Sequence, residues 1–324
     1  MSPVPIRPAA DVPLDVLQGL THALRAELLR RGEFLPSPWV EEAAEDLRAG
    51  RLAGWVSGPG TDGDGLAFLS ARPGRGYGHI HVGPGPDALA RSEALLDALR
   101  GTLGPDLGRI DVGITGLAAS DEDRLREGAA RRPGDEAIVR YALERPVLPP
   151  PAAGEWPPHL HRTAVGDVDL GALALLDWSA FQGTDDAELI ADTVAGDRRI
   201  LEEIVGGLLG RFLDEASCVL LDAEGRPAAL LFTAEESARS AVFLDLAVRP
   251  SERHRGLGAA LIGWGLRALA ALGHERVRLW VTESNAPARA LYAWSGFVAA
   301  GRAIIYRLRV PSTAAGVAQP QRSR

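Results

Sequence analysis

Two apolar periods alternate along this chain, and their order sorts it into helices and strands. In the second half the run Phe243-Leu-Asp-Leu-Ala-Val248 belongs to a strand over Ala241–Val248, and the spacing then becomes helical over Ala259–Leu272. Further strands are expected near Leu160–Thr163 and Ala303–Leu308 and over Ser217–Leu221, Ala228–Phe232 and Arg276–Val281. Helices are expected over Leu170–Phe181 and Ala286–Trp294, with one helical region from Asp186 to about Leu213. The runs at Ser217 and Ala228 make a hairpin through Asp222-Ala-Glu-Gly-Arg, where Gly225 supplies the turn.

The first half follows the same plan without residue-by-residue similarity. After Ile6-Arg-Pro it predicts helices over Val12–Arg31, Val40–Ala49 and Ala88–Leu103. Its strands are Leu52–Ser57, Leu66–Ser70, Gly78–Val82, Arg109–Ile114 and Ala137–Leu143, with a hairpin loop from Gly58 to Gly65. Between the halves lies Glu144-Arg-Pro-Val-Leu-Pro-Pro-Pro-Ala-Ala-Gly-Glu-Trp-Pro-Pro158, which cannot continue a helix or a central strand. The expectation is an α/β protein of two tandem domains, each a mixed, mostly antiparallel sheet flanked by helices. Its parts are residues 1–145, a proline-rich linker at 146–158, a second domain at 159–310 and a disordered tail at 311–324.

Composition narrows the function classes. A chain of 324 residues that is 46% hydrophobic can build two cores, and a formal charge of -8 argues against a general nucleic-acid binder. There is no lysine, so every permanent side-chain cation is an arginine. The single cysteine, Cys218, excludes an intrachain disulfide and reads as buried filler. No apolar run approaches the ~18 residues of a membrane span, and no leader pattern opens the chain, so a cytoplasmic protein without a membrane partner is expected.

The chemistry concentrates where strand Ala241–Val248 meets the next helix. There stands Arg253-His254-Arg255-Gly256-Leu257-Gly258, an Arg-x-x-Gly-x-Gly run. A helix start leaves backbone N–H groups without intrahelical partners and carries the positive end of the macrodipole, so a diphosphate could accept from the backbone. Glycines at 256 and 258 would permit unusual dihedrals and close approach, and Arg249, Arg253 and Arg255 would add positive charge. A plain tight turn would use the same glycines. Downstream stands Asn285-Ala-Pro-Ala288-Arg-Ala-Leu291-Tyr292-Ala-Trp-Ser-Gly296-Phe297. Together the two runs resemble the signatures of the GNAT superfamily of acyl-CoA-dependent N-acyltransferases, Arg/Gln-x-x-Gly-x-Gly/Ala followed by Asn-x-x-Ala-x-x-Leu-Tyr-x-x-x-Gly-Phe.

That resemblance implies acetyl-CoA or another acyl-CoA as co-substrate, no metal, and direct attack by a primary amine of a small molecule. It puts Arg253, His254, Arg255, Gly256, Leu257, Gly258 and Asn285 on the co-substrate. The backbones of Leu246, Ala247 and Val248 would pair with pantetheine and polarise the thioester carbonyl, and Tyr292 would protonate the departing thiolate. The two-domain arrangement is similar to that of the mycothiol synthases, in which an amine of a cysteinyl sugar conjugate is acetylated. Other readings keep the fold but change the donor, to an aminoacyl-tRNA for example, or make the chain a non-catalytic acyl-CoA-binding or partner-binding module.

Several residues read two ways. Strict alternation puts Asp245 on the face opposite Leu244 and Leu246, where it would take a proton from an incoming ammonium or make a fixed structural hydrogen bond. Glu283 is the other carboxylate near the cleft, or a solvated loop residue. Asn285 caps the helix from Ala286 in either case, and Tyr292 could equally pack beside Leu291. Trp178 and Phe181 line a substrate pocket or pack in the core. The pairs His79/His81 and His159/His161 each share a strand face but lack a third close ligand, so no metal is assigned. In the first half the loop position is Gly83-Pro84-Gly85-Pro86-Asp87: two prolines remove donors, Asp87 is expected to cap the helix, and Arg126 or Glu127 stands where a tyrosine would be. The first domain therefore reads as degenerate, with the chemistry in the second.

Overall fold

A computed structural model describes residues 4–31, 37–58, 64–72, 74–148 and 156–310. Residues 149–155 of the linker, the tail at 311–324 and residues 59–63 of the first hairpin loop lie outside the described residues. In chain order the elements of the first half are β1 (Ile6–Pro8), α1 (Leu14–Arg31), α2 (Ser37–Arg48), β2 (Ala53–Ser57), β3 (Gly65–Arg72), β4 (Arg75–Val82), α3 (Ala88–Arg100), β5 (Arg109–Thr115), α4 (Ala119–Ala129) and β6 (Glu136–Pro146). The second half adds β7 (His161–Thr163), α5 (Leu170–Phe181), α6 (Asp185–Ile190), α7 (Val194–Val205), β8 (Arg211–Phe212), β9 (Cys218–Leu221), β10 (Pro227–Ser237), β11 (Ser240–Val248), α8 (Leu257–Ala271), β12 (Arg276–Thr282), α9 (Ala286–Trp294) and β13 (Val298–Arg309).

Two compact units emerge, and neither is one run of sequence. The first comprises Met1–Leu24, Glu41–Ile138 and Ile304–Arg324; the second comprises Arg25–Val40 and Val139–Ala303. In the first unit the sheet order is β1-β2-β3-β4-β5, continued by the last six residues of β13, which pair antiparallel with β5 from Ile304↔Ile114 to Arg309↔Arg109. Only β4 and β5 run parallel there, and they stay paired from Arg75↔Arg109 to His81↔Thr115. Leu95, Leu96 and Leu99 of α3 pack on Ile80 and Val112. Arg307 is 1% exposed yet donates from Nε to Asp111 at 2.6 Å, while Arg75 donates to the same carboxylate at 2.8 Å. A charge that far from water is tolerated only when paired.

The second unit has the order β6-β12-β11-β10-β9-β7, with β8 pairing to β10 and residues 140–146 of β6 pairing to β12. Here β11 and β12 are the parallel pair. One face of this sheet is covered by α8, through Leu257, Leu261, Ile262, Leu266 and Leu269. The other is covered by α5 and α7, through Leu173, Leu176, Leu201 and Ile204. Both units thus have the mixed, mostly antiparallel sheet flanked by helices that the pattern predicts.

Local chemistry sets the element ends. Helix α8 closes with Gly273 at φ +83°, and His274 and Gly273 donate to the carbonyls of Leu269 and Ala270, the bonds of a Schellman motif. It begins at Leu257, two residues earlier than the spacing predicts, so Gly258 lies inside its first turn. The expected single helix from Asp186 is two helices and a strand. Thr184 caps α6, and Thr193 caps α7 by accepting from Gly196 at 3.0 Å, which breaks the run at Ala191–Thr193. Gly265 of α8 lies so close to the sheet that a Cβ there would be 2.6 Å from Leu231 Cδ2 and 3.0 Å from Phe243 Cζ, both buried. Gly265→Val is expected to lower the unfolding free energy by about 1–3 kcal/mol, measured by urea denaturation.

Candidate active site

Strand β11 is irregular where it matters. Its ladder with β10 is regular through Thr233↔Phe243 and resumes at Phe232↔Asp245, so Leu244 is an extra residue, a β-bulge. The bulge breaks strict alternation. Phe243, Leu246 and Val248 pack on the α8 side, whereas Leu244 and Ala247 pack on the side of α5 and α7. Asp245 also turns toward α5 and α7, so Leu244 shares its face and only Leu246 is opposite, a correction to the alternation reading. On its other edge β11 pairs with β12 only from Ser240↔Arg276 to Phe243↔Leu279. Beyond Phe243 the strands part, leaving the backbone of Leu246, Ala247 and Val248 without a β12 partner.

The loop after β11 carries the Arg-x-x-Gly-x-Gly run. His254, at φ 60°, is the one non-glycine residue with positive φ among the described residues, and Gly256 follows at φ 80° as the N-cap of α8. No side chain caps this helix, and a Cβ at Gly256 would meet nothing within 4 Å. The first amides of α8 thus lack a side-chain acceptor, and the turn before them at Gly256 is uncrowded. Gly258 serves a different purpose from the one expected: a Cβ there would lie 2.7 Å from Leu291 Cδ2, so its smallness lets α9 approach α8. The arginines are also engaged. Arg253 donates to the carbonyl oxygens of Val248 (3.2 Å) and Ala180, Arg255 to Glu252 at 3.1 Å, and Arg249 to Asp222 at 2.9 Å. Arg253 thus ties the end of β11 to the end of α5 instead of standing free for a phosphate.

Across the parted strands stands α9. Asn285 Oδ1 accepts from Ala288 N at 3.2 Å, the expected cap, while its Nδ2 donates to Asp186 at 2.8 Å. Thr282 Oγ1 donates to the other oxygen of Asp186, so this 6% exposed carboxylate ties α6 to the junction of β12 and α9. Tyr292 is 9% exposed and packs edge-on to Phe297, with ring centroids 5.8 Å apart. Among the described residues nothing hydrogen-bonds its hydroxyl. Burial raises its pKa above the ordinary phenol value, the charges of Asp245 and Asp186 raise it further, and Arg140 opposes them. At neutral pH it is a protonated donor within electrostatic reach of both carboxyls.

Asp245 does not stand alone, which the sequence reading missed. Asp177 of α5 and Asp197 of α7, each 1% exposed, complete a row of carboxyls with Asp177 in the middle, within hydrogen-bonding reach of both others. Burial pushes Asp245 up to about 7; the hydrogen bond from Asp177 lowers it and the charge of Asp197 raises it. Burial likewise pushes Asp197 up to about 6, and Asp177 is raised well above the usual range by burial and then by its two neighbours. The available signal was Asp177 itself, an acid inside the apolar helix Leu170-Gly-Ala-Leu-Ala-Leu-Leu-Asp-Trp-Ser-Ala-Phe181.

Glu283 is half-buried and accepts from the Tyr141 hydroxyl at 2.8 Å, so it is not merely a solvated loop residue. Phe181 packs with the α5–α7 core, Trp178 is half-buried, and Cys218 is buried with its thiol pushed up to about 12 by burial. His81 pairs with Thr115 Oγ1 at 2.9 Å and His159 with Glu252 at 3.3 Å. Among the described residues no group of three or more His, Cys, Asp or Glu could hold a metal, and no helix is long and apolar enough to cross a membrane. In the first unit β4 and β5 remain paired to His81↔Thr115, and Gly116, at φ 89°, would bring a Cβ to 1.8 Å from Val82 O. That seam is closed. Asp87 occupies the N-cap position of α3 without the expected side-chain bond, and Arg91 instead donates to Gly83 O at 2.6 Å.

The carboxyl row has a sign for stability. Each of the three acids is raised above its unfolded value near 3.9, so the stability it contributes is present below that value and is lost as pH rises through the folded one. The melting temperature is expected to fall between about pH 4 and pH 7, from the unfolded carboxyl value up to the folded values of Asp197 and Asp245. Asp245→Asn should flatten that slope, as read by thermal melts across the range.

Residues 173–297 match the family model described as the acetyltransferase (GNAT) family. A mycothiol acetyltransferase from Clavibacter sepedonicus is 34% identical over 152 residues, 45% of this chain and 50% of that protein. Another from Clavibacter michiganensis subsp. michiganensis is 36% identical over 152 residues, 45% of this chain and 49% of that one. The match thus spans about half the length of each relative. Among solved structures, a GCN5-related N-acetyltransferase from Sphaerobacter thermophilus has a TM-score of 0.59 at 16% identity, covering 95% of this chain and 96% of that one. A tandem GNAT protein from the clavulanic acid biosynthesis pathway has a TM-score of 0.59 at 17% identity, covering 94% and 98%. Residues 173–297, which hold the parted strands, the glycine loop, Tyr292 and the carboxyl row, therefore belong to the acetyltransferase (GNAT) family, on a chain with the fold of tandem GNAT proteins.

Proposed function

We propose that the second unit is an N-acyltransferase that moves an acyl group, acetyl in the simplest case, from acyl-CoA to a primary amine of a small molecule by direct attack. One observation carries this reading: a buried phenol, Tyr292, lies within electrostatic reach of Asp245, a carboxyl raised toward neutrality, beside the parting of β11 from β12. The likeness to mycothiol acetyltransferases supports acetyl as the group and a small molecule as the acceptor.

Acyl-CoA supplies the activated acyl carbonyl and a thiolate leaving group. The uncapped start of α8 and the αL turn at Gly256 suit its diphosphate, although the loop arginines Arg249, Arg253 and Arg255 are engaged with protein acceptors. Backbone groups of Leu246, Ala247 and Val248, released by β12, suit an extended amide-bearing arm and an oxyanion. Asp245 takes a proton from the acceptor ammonium and so frees its lone pair; a group near 7 can accept it and later release it to water. Tyr292 gives its proton to the departing sulfur and regains one from the nitrogen, which sheds its second proton as the amide forms. The balance is one amide formed, one thiol released and one proton lost to solvent. The closed seam between β4 and β5 supports a single such site per chain, with the first unit structural or substrate-shaping.

Calorimetric titration of the CoA-free protein with acetyl-CoA is expected to give one site per chain; two sites would mean that the first unit also binds, and none would point to another donor. Tyr292→Phe is expected to keep acetyl-CoA binding while lowering thiol release against a panel of primary amines by roughly 10²–10⁴-fold. Unchanged turnover in that variant would remove Tyr292 from the acid role.

A further inference from the structure

Two carboxyls of the row have no part in the transfer as described. Asp177 and Asp197 are each 1% exposed, and Asp177 Oδ1 and Asp197 Oδ2 are buried without a hydrogen-bond partner. Helix α5 packs on both α7 and β11, so Asp177 stands between the other two acids, within hydrogen-bonding reach of each. Ionised carboxylates only accept and a protonated carboxyl donates one bond, so at least one member must carry a proton for either junction to form. The central place is where that proton belongs. An anion there would face two further acids out of water, whereas a protonated carboxyl becomes a donor to either neighbour.

We propose that Asp177 is a positioning residue for Asp245: its protonated carboxyl donates to Asp245 and fixes that carboxylate at the bulge, where it takes the proton of the acceptor amine. This rests on the reading of Asp245 as proton acceptor. Asp177 keeps its own proton throughout, and Asp245 alone gains and releases the proton of the amine. The groups that act on Asp245 come from several sides: Asp177 from α5, Asp186 from α6, Asp197 from α7 and the Leu246 amide of its own strand, while Asp245 in turn acts on Tyr292 of α9, as does Arg140 of β6.

The test is a carbon-13 NMR titration of the aspartate carboxyls in the full chain, with Asp245 assigned through Asp245→Asn. An Asn amide donates as a protonated carboxyl does, so Asp177→Asn should leave the Asp245 midpoint at its wild-type value near 7. Asp177→Ala, which lacks a donor, should move that midpoint upward by about one pH unit. A fall of the midpoint toward the ordinary carboxylate range in Asp177→Asn would mean that Asp177 acts as an anion, which overturns the proposal. So would an ordinary Asp245 midpoint in the wild type. Should Asp177→Ala fail to fold, Asp177→Asn decides alone, because its two outcomes are opposite. The titration uses no substrate, so a protein that binds no acetyl-CoA would defeat the acyltransferase reading and leave this result standing.

Discussion

The second unit depends on β11 leaving β12 after Phe243. A parallel pair that stayed zipped would satisfy its own amides and carbonyls and present nothing to a ligand. Parting leaves several backbone groups to be satisfied otherwise, and the surroundings are arranged for that. Arg253 takes the carbonyl of Val248, and the bulge at Leu244 turns Asp245 off the α8 face. Gly258 lets Leu291 close in behind. The first unit shows the alternative with the same parts list: β4 and β5 pair along their length, and Gly116 allows the end of β5 to press against Val82.

Much of this was legible in the sequence. The alternation of apolar periods gives the strand–loop–helix order, Gly256 sits in the left-handed conformation that a glycine favours, and Asn285 caps α9. What stayed hidden has physical reasons. A bulge is invisible to a period-two reading, because the extra residue is recognised only against the partner strand; Leu244 therefore seemed opposite Asp245 when it shares its face. The arginines of the loop look like phosphate ligands until their acceptors, Val248, Ala180, Glu252 and Asp222, are known. Thr193 is a cap that a continuous apolar spacing conceals. Asp177 and Asp245 lie 68 positions apart and meet only in the fold.

The carboxyl row is a local violation of the rules that stabilise a core. Three acids share a poorly solvated region, and the charges of the outer two oppose ionisation of the central one. Such places are where sequence patterns for folding and residues for chemistry disagree, and the disagreement is absorbed by the surrounding apolar layers of α5, α7 and the sheet.

The exchange of strand halves has a consequence for how this chain reaches its folded state. Residues 140–146 of β6 pair within the second unit, and Ile304–Arg309 pair within the first. No single cut separates the units with both sheets whole. During synthesis the first unit lacks its β13 edge until residue 309 has emerged, so β5, with its buried Asp111 awaiting Arg307, waits for the rest of the chain. The second unit too is complete only at residue 303, so the N-terminal unit loses the head start that a nascent chain ordinarily gives its beginning.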